Sequence, residues 1–119
     1  DMILVGGSNV YPAEVESALE EHPTVQSAVV IGLDDDDLGK RPHALVHLSA
    51  EVSDDELRTH LTERLVRYKI PRSFERVDAP LRDDAGKVRR SALAADRNTD
   101  PNTEIAQGRP DEEAYRRTS

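Results

Sequence analysis

The chain has 119 residues, which is enough for one domain of ordinary size or for a piece of a larger protein. Its 24 Asp and Glu outnumber its 16 Lys and Arg, giving a net charge of −8, and it has one Phe, three Tyr and no Trp, so we predict no general binding to nucleic acid or to anionic membranes. The sequence has no Cys, so we predict no disulfide. It has no apolar run of roughly 20 residues, so we predict no membrane span. With no signal peptide at its start, we expect a cytoplasmic location.

The first 23 residues predict a turn followed by a helix. Residues 2–5 form a short strand-like run, and residues 6–9 (GGSN) favour a turn because Gly and Asn tolerate positive φ, so a small hairpin is expected. Pro12 fits the first turn of a helix, where its missing N–H leaves no bond unmade, and the helix ends at His22 because Pro23 follows. The apolar stripe of this helix consists of Val15, Ala18 and Leu19, with Glu14, Glu16 and Glu20 elsewhere.

The middle of the chain predicts two strands. Residues 25–33 (VQSAVVIGL) are rich in β-branched side chains, and residues 43–49 alternate between apolar and wetter positions, which is the period of a strand. A polar, turn-like connector (DDDDLGK) joins the two runs, so we expect them to pair antiparallel.

The second half predicts a helix, a short third strand and a final helical segment. Ser53 and Glu56 have the spacing of a capping box, and Leu57, Leu61 and Leu65 then follow as one stripe. The remaining segments are a strand at 73–77, a loop at 79–88 and one or two helical turns at 89–95. The predicted fold class is α+β, with a small, mainly antiparallel three-stranded sheet flanked by helices and an N-terminal hairpin or turn.

The apolar periodicity ends near Leu93, and this divides the chain. We predict one domain over residues 1–94 and a flexible polar tail over residues 95–119. The stretch 96–111 contains two Pro, one Gly and a single large aliphatic residue. Such a segment cannot bury enough apolar surface to offset the entropy lost on ordering it.

The histidines and acidic residues do not have the spacing of a metal site. His43 and His47 share a face of the predicted strand, but strand rise places them about 13 Å apart, too far for one ion. The run 34–37 (DDDD) lacks the ligands that an EF-hand loop needs at its fifth and twelfth positions, which are Leu38 and Leu45. We therefore predict no metal-binding residues and interpret all four histidines as structural: His22, His43, His47 and His60.

A Gly beside a Lys, Gly86-Lys87, lies in the polar segment before the last predicted helix. Glycine lets the backbone approach a ligand closely, and a lysine ammonium is a mobile charge suited to an oxyanion or a phosphate. Taken alone, such a pair is more often part of an ordinary surface loop. The other Gly-Lys pair, Gly39-Lys40, lacks the spacing of a phosphate loop, and the aspartates before it repel phosphate.

Three motifs in a fixed order carry a family resemblance. They are DMI-x-x-GG-x-NVYP-x-EVE followed by HP-x-V, then YK-x-P-R, and then GKV-x-R-x-x-L. On these motifs, residues 1–94 resemble the C-terminal domain of the adenylate-forming acyl-CoA synthetases, the AMP-binding superfamily. The resemblance implies an enzyme that converts a carboxylic acid and ATP into acyl-AMP and pyrophosphate, after which the CoA thiol displaces AMP.

The resemblance also implies roles for individual residues. Lys87, beside Gly86, matches the lysine that stabilises negative charge during adenylation. Gly7 is implied to lie beside the pantetheine of CoA, and Asn9, where many relatives have Arg, near phosphate groups. The expected cofactors are ATP with Mg²⁺ and CoA. Both are used together with a large N-terminal domain of the same enzyme, on which this domain rotates between the two half-reactions.

We therefore expect the chain to belong to an AMP-forming ligase for a fatty or aromatic acid, and we expect the fragment to be inactive alone. The chain also departs from the family pattern in two places besides Asn9. Residues 80–83 are Pro-Leu-Arg-Asp where Leu-Pro-Arg-Thr is usual, and Lys40 stands where Glu or Gln is usual. One alternative is a stand-alone module that docks on a separate large subunit. The other is the C-terminal part of a non-ribosomal adenylation domain that serves a carrier protein.

Overall fold

Five β-strands and three α-helices make up the part of the chain that the computed structural model describes, residues 2–82 and 90–99. The predicted α+β class is confirmed. In chain order the elements are β1 (Ile3–Val5), β2 (Ser8–Val10), α1 (Pro12–Glu20), β3 (Val25–Asp35), β4 (Gly39–Leu48), α2 (Asp54–Thr62), a 3₁₀ turn (Arg67–Lys69), β5 (Ser73–Val77) and α3 (Arg90–Thr99).

All five strands belong to one sheet, in which β4 contacts three others. β3 and β4 pair antiparallel along almost their whole length, as predicted, from Val25 opposite Leu48 to Asp35 opposite Gly39. β5 pairs with β4 in parallel, and the β1–β2 hairpin reaches the same strand where Val5 lies opposite Gly39. The sheet therefore has five strands where the sequence predicted three, because the N-terminal hairpin joins the sheet instead of standing apart.

One face of the sheet packs against α1 and α2 and forms the larger core. The Ser53 hydroxyl accepts a hydrogen bond from the Glu56 N–H at 3.1 Å, so the predicted N-cap of α2 is confirmed. α2 ends at Thr62, so Leu65 lies beyond the helix, where it packs partly buried against the same core. The helix side chains that are fully buried here are Val15, Leu19, Leu57 and Leu61, each of which contributes roughly 1.5–3 kcal/mol by leaving water.

The other face of the sheet carries a smaller core that α3 covers. Leu93 and Ala94 of α3 pack against a buried cluster formed by Val29, Ile31, Leu33 and Leu45. α3 runs to Thr99, so the predicted boundary at residue 94 falls inside a helix. Residues 100–119 of the predicted tail lie outside the described residues, and the division into domain and tail stays a prediction. Among the described residues, no helix has the length and apolar character to cross a membrane.

Candidate functional site

The turn between β1 and β2 consists of two glycines with left-handed backbones. Gly6 has a φ of 55° and Gly7 a φ of 86°, conformations that glycine adopts at little cost and that fit a two-residue hairpin loop. A Cβ on Gly6 would lie 3.1 Å from the Leu38 side chain, whereas a Cβ on Gly7 would meet nothing within 4 Å. Gly7 therefore leaves open space beside the turn, and Asn9 is exposed on the neighbouring strand.

A cleft of ≈ 800 Å³, here named the basic cleft, opens beside this turn. Its walls are the turn itself and the segment that joins α2 to β5. Three arginines, Arg58, Arg67 and Arg72, line it together with Tyr68. Arg58 is held in place, because its guanidinium donates to the carbonyl oxygen of Arg72 (3.1 Å) and lies 5.4 Å from the centroid of the Phe74 ring.

The basic cleft concentrates positive charge in an acidic chain. Within residues 2–82 and 90–99, the side chains of Arg67 and Arg72 form no ion pair, and both are exposed. The neighbouring Lys69 differs, because Glu14 of α1 holds it at 2.9 Å and that hydrogen bond raises the pKa of the lysine ammonium. Guanidinium groups without a carboxylate partner are suited to phosphate groups, with which they form paired, charge-assisted hydrogen bonds.

A second groove, of ≈ 650 Å³, is here named the β1–α3 groove. Parts of β1, α1, β3 and the first residues of α3 line it, including Arg90. It shares no lining residue with the basic cleft. Lys87, to which the resemblance gives the adenylation role, and Gly86, its predicted cofactor-binding neighbour, lie outside the described residues. Two arginines near them in the sequence, Arg82 and Arg90, both contact the carboxylate of Glu16.

A hydrogen-bonded network joins α3 to the edge of the sheet on the face of the smaller core. His43 of β4 is buried, its Nδ1 accepts from the Ser73 hydroxyl at 2.6 Å, and its Nε2 donates to Glu75 at 3.0 Å. Glu75 in turn accepts two bonds from the Arg97 guanidinium, at 2.8 and 2.6 Å. This bidentate pair links the C-terminal half of α3 to β5.

The electrostatics of the network keep His43 neutral and Glu75 charged. Burial lowers the pKa of the His43 imidazole below its ordinary value of 6.5 and outweighs the opposing effect of Glu75. The hydrogen bonds from Arg97, aided by His43, hold the pKa of the Glu75 carboxyl at about 2 against the opposing effect of burial. A carboxylate accepts only, which places the ring proton of His43 on Nε2 and leaves Nδ1 as the acceptor.

The predicted acidic turn is present between β3 and β4. The Asp35 carboxylate accepts from the backbone N–H groups of Asp37 and Leu38, both at 2.9 Å, and thereby closes the turn. The Lys40 ammonium forms an ion pair with the Asp34 carboxylate at 2.5 Å, so the charge of Lys40 is neutralised within the β3–β4 hairpin. The run therefore has a structural role in the turn.

Two further histidines connect α1 to α2. His22 Nδ1 accepts from the Thr24 N–H at 3.1 Å, which leaves Nε2 to donate to Glu56 at 3.0 Å. His60 Nε2 donates to the carbonyl oxygen of Ala18 at 2.7 Å. The described part of the chain contains no group of three or more His, Asp or Glu side chains that would hold a metal ion.

The basic cleft was not predicted from the sequence. Its arginines lie in three different places, on α2, on the 3₁₀ turn and just before β5, so no single motif unites them. A signal does exist in the charge distribution, because five of the chain's 16 Lys and Arg fall between residues 58 and 72, in a chain of net charge −8. These five are Arg58, Arg64, Arg67, Lys69 and Arg72.

Comparison with known proteins gives a family match. Residues 14–87, more than half of the chain, match the family described as "AMP-binding enzyme C-terminal domain". The 2-succinylbenzoate–CoA ligase of Bacillus velezensis is 47% identical over 93 residues, which cover 78% of this chain and 19% of that protein. The fatty acid–[acyl-carrier-protein] ligase ScoC of Streptomyces coeruleorubidus is 42% identical over 95 residues, which cover 78% of this chain and 18% of that protein.

A solved structure agrees with the sequence matches. The o-succinylbenzoate CoA synthetase of Bacillus subtilis, in complex with the acyl-adenylate intermediate OSB-AMP, is similar with a TM-score of 0.74 and 46% identity, covering 78% of this chain and 19% of that one. The chain thus spans about a fifth of the length of the curated relatives it matches. The resemblance that the three sequence motifs carry is confirmed by these matches.

Proposed function

Because the chain belongs to the AMP-binding enzyme C-terminal domain family, we propose that it is the C-terminal domain of an acid–CoA ligase that forms an acyl-adenylate from ATP and then a thioester. Its main partner is the large N-terminal domain of the same enzyme. Because the chain spans only about a fifth of the length of its relatives, the N-terminal domain supplies most of the protein surface around ATP, Mg²⁺ and the acid.

The observation that carries this proposal is the basic cleft beside the glycine turn. CoA has a 3′-phosphate and a diphosphate at one end and a slender pantetheine arm at the other. Arg67 and Arg72 have no carboxylate partner in the described part of the chain, so their guanidinium groups are suited to the phosphates. Gly7, with open space beside it, leaves room for the arm.

The adenylation role belongs to Lys87 in this proposal. Attack of a carboxylate on the α-phosphate concentrates negative charge on oxygen atoms, and an ammonium placed there stabilises the transition state more than the ground state. The β1–α3 groove, whose lining includes Arg90, shares no residue with the basic cleft. Separate surfaces support a domain that presents one face for adenylation and another for thioester formation.

A carrier protein is the second candidate for the thiol acceptor. The match to ScoC, an acyl-carrier-protein ligase by name, favours this candidate, since it is nearly as similar as the CoA ligase. The pantetheine arm and one phosphate are common to CoA and to a carrier protein. The 3′-phosphate is found only in CoA, so the dependence on that phosphate separates the two acceptors.

The test uses the full-length enzyme that contains this chain and measures the two half-reactions separately. Lys87→Ala is expected to slow acyl-AMP formation, followed as pyrophosphate release, by about 10²–10³-fold and to leave thioester formation from supplied acyl-AMP unchanged. Arg67→Gln and Arg72→Gln are each expected to raise KM for CoA about tenfold or more, since a hydrogen bond to a charged group contributes about 1.5–3 kcal/mol, and to leave acyl-AMP formation unchanged.

Arg64→Gln is the matched control. Like Arg67, Arg64 is exposed and follows α2 in the chain, but it pairs with Glu21 and Glu63 and does not line the basic cleft. Its KM for CoA is expected to stay within twofold of the parent value. Equal slowing of both half-reactions by Lys87→Ala would mean that the lysine supports domain structure. A KM that does not distinguish CoA from its 3′-dephospho form would favour the carrier protein.

A further inference from the structure

Arg58, on α2, lines the basic cleft, but its guanidinium is already engaged by the protein itself. It donates to the carbonyl oxygen of Arg72 at 3.1 Å, lies 5.4 Å from the centroid of the Phe74 ring and approaches the Asp55 carboxylate at 3.6 Å. Its side chain is half-buried, whereas the side chains of Arg67 and Arg72 are exposed. Arg58 therefore differs from the other two arginines of the cleft, because its contacts are made within the fold.

The backbone of Arg72 is held on two sides just before β5 begins. Its N–H donates to the carbonyl oxygen of Pro42, on β4, at 2.9 Å, and its own carbonyl oxygen accepts the hydrogen bond from Arg58. The preceding residue, Pro71, is buried, and its ring restricts its φ. The direction in which the exposed Arg72 side chain leaves the chain is set by this held backbone.

The larger core anchors Arg58. Phe74 belongs to this core and is 9% exposed. The quadrupole of its ring attracts the guanidinium that lies over it, and the planar guanidinium is well suited to such a contact. α2 is fixed on the same core by Leu57 and Leu61, both fully buried. Arg58 thus connects two anchored elements, α2 and β5, to the backbone of Arg72.

We propose that Arg58 is a positioning residue for CoA binding, which acts through Arg72 by fixing the backbone from which that side chain reaches the phosphate groups. The inference rests on the proposed function of the basic cleft. A guanidinium held in position loses less conformational freedom when it binds a ligand, so its affinity for the ligand is higher without any added contact. Loss of Arg58 therefore weakens the hydrogen bonds that Arg72 makes to phosphate, although Arg72 itself is unchanged.

Arg67 offers an internal comparison for this role. It lines the same cleft, but its backbone belongs to the 3₁₀ turn, where its carbonyl oxygen accepts from the Ile70 N–H at 3.2 Å. Within residues 2–82 and 90–99, no hydrogen bond or ion pair joins Arg58 to Arg67. Loss of structure or of positive charge at Arg58 would weaken the contributions of Arg67 and Arg72 alike, whereas loss of positioning affects that of Arg72.

The experiment measures KM for CoA in the full-length enzyme with supplied acyl-AMP, and follows acyl-AMP formation and thermal unfolding for each variant. Arg58→Gln is expected to raise KM for CoA about three- to tenfold, the range that corresponds to one ordinary hydrogen bond, and to leave acyl-AMP formation within about twofold. Asp55→Asn is the matched control, because Asp55 is 97% exposed and its loss leaves the contacts of Arg58 with Arg72 and Phe74 in place. Its KM for CoA is expected to stay within about twofold of the parent value.

Double variants distinguish positioning from a direct contact with CoA. In Arg58→Gln/Arg72→Gln, KM is expected to stay within about twofold of that of Arg72→Gln, because Arg58 acts through Arg72. In Arg58→Gln/Arg67→Gln, the two increases in KM are expected to multiply, because the two residues share no contact.

Each other outcome has a distinct meaning. Multiplied effects in Arg58→Gln/Arg72→Gln, or effects that fail to multiply in Arg58→Gln/Arg67→Gln, would overturn the inference. If Arg67→Gln and Arg72→Gln leave KM for CoA unchanged, the proposed function of the basic cleft is wrong and the inference falls with it. If they raise KM and Arg58→Gln does not, only the positioning role is wrong. Should Arg58→Gln fail to fold, Arg58→Met decides, because it removes the donor and keeps an apolar stem against Phe74.

Discussion

Among single residues, the two glycines of the β1–β2 turn are the ones whose backbone conformation restricts which side chain can replace them. Gly6 and Gly7 both have positive φ, so any other residue in either position is strained. The two differ in their surroundings, because a side chain on Gly6 meets Leu38 whereas one on Gly7 points into open space. A substitution at Gly7 therefore adds bulk beside the basic cleft without disturbing the core.

We predict that Gly7→Leu in the full-length enzyme slows thioester formation at least tenfold and leaves acyl-AMP formation within twofold. The leucine side chain occupies the space proposed for the pantetheine arm. Gly7→Ala is the control, since it has the same backbone strain of about 1–2 kcal/mol but little bulk. Rates are measured with supplied acyl-AMP and varied CoA. Equal effects of Ala and Leu would mean that backbone strain, and not obstruction, is responsible.

Helices pack on both faces of the sheet, and α3 is attached to it through few side chains. Its apolar contacts come from Leu93 and Ala94, and its polar contacts are made at both ends, with Arg90 bound to Glu16 and Arg97 bound to Glu75. α1 and α2, by contrast, contribute fully buried side chains to the larger core. α3 is therefore the helix whose length can be altered with the smallest loss elsewhere.

We predict that truncation of the 119-residue chain after Thr99 changes the free energy of unfolding by less than about 0.5 kcal/mol, the range of neutral surface changes. Truncation after Ala95 additionally removes Arg97 and Asn98, which accepts from the Asp34 N–H at 3.0 Å. We expect that shorter chain to lose about 1–3 kcal/mol, since it loses hydrogen bonds to a charged carboxylate. Urea unfolding followed by circular dichroism compares the two; equal stabilities would show that these contacts contribute nothing.

On the scale of the whole molecule, two titratable groups in one network, His43 and Glu75, make the stability of the fold sensitive to acid. The pKa of His43 is lowered in the folded state, so below its ordinary value of 6.5 the unfolded chain takes up a proton that the folded chain does not. The pKa of Glu75 is lowered from 4.5 to about 2, so the unfolded chain is again protonated first as pH falls between these values. Both groups therefore reduce stability as pH falls, and neither does so above pH 7.

We predict that the free energy of unfolding falls as pH is lowered from 7 towards 5, and that His43→Gln makes this fall shallower. A further fall between pH 4.5 and 2 is expected to become shallower in Glu75→Gln. His47→Gln is the control, because His47 lies on the same face of β4 but outside the network. Urea unfolding at each pH gives the free energies. A His43→Gln curve parallel to that of the parent would contradict the prediction.

The sequence was sufficient for features that depend on neighbouring residues. The glycine turn, the start of α1 at Pro12, the cap at Ser53 and the antiparallel β3–β4 pair each follow from local conformational preferences or a short period, and the structure confirms them. Family membership was indicated by three motifs in a fixed order, and the family match over residues 14–87 confirms it.

Only the tertiary structure decided which distant charges meet. Glu16 lies off the apolar stripe of α1 in sequence, yet it is buried because α3 and the segment at Arg82 close over it with two guanidinium groups. The arginines of the basic cleft likewise come together only when the chain between α2 and β5 folds back to the β1–β2 turn. Such contacts depend on the path of the chain across many residues, and periodicity and local propensity do not encode that path. The sequence by itself therefore determined the elements and the family, whereas the tertiary structure determined the charge clusters.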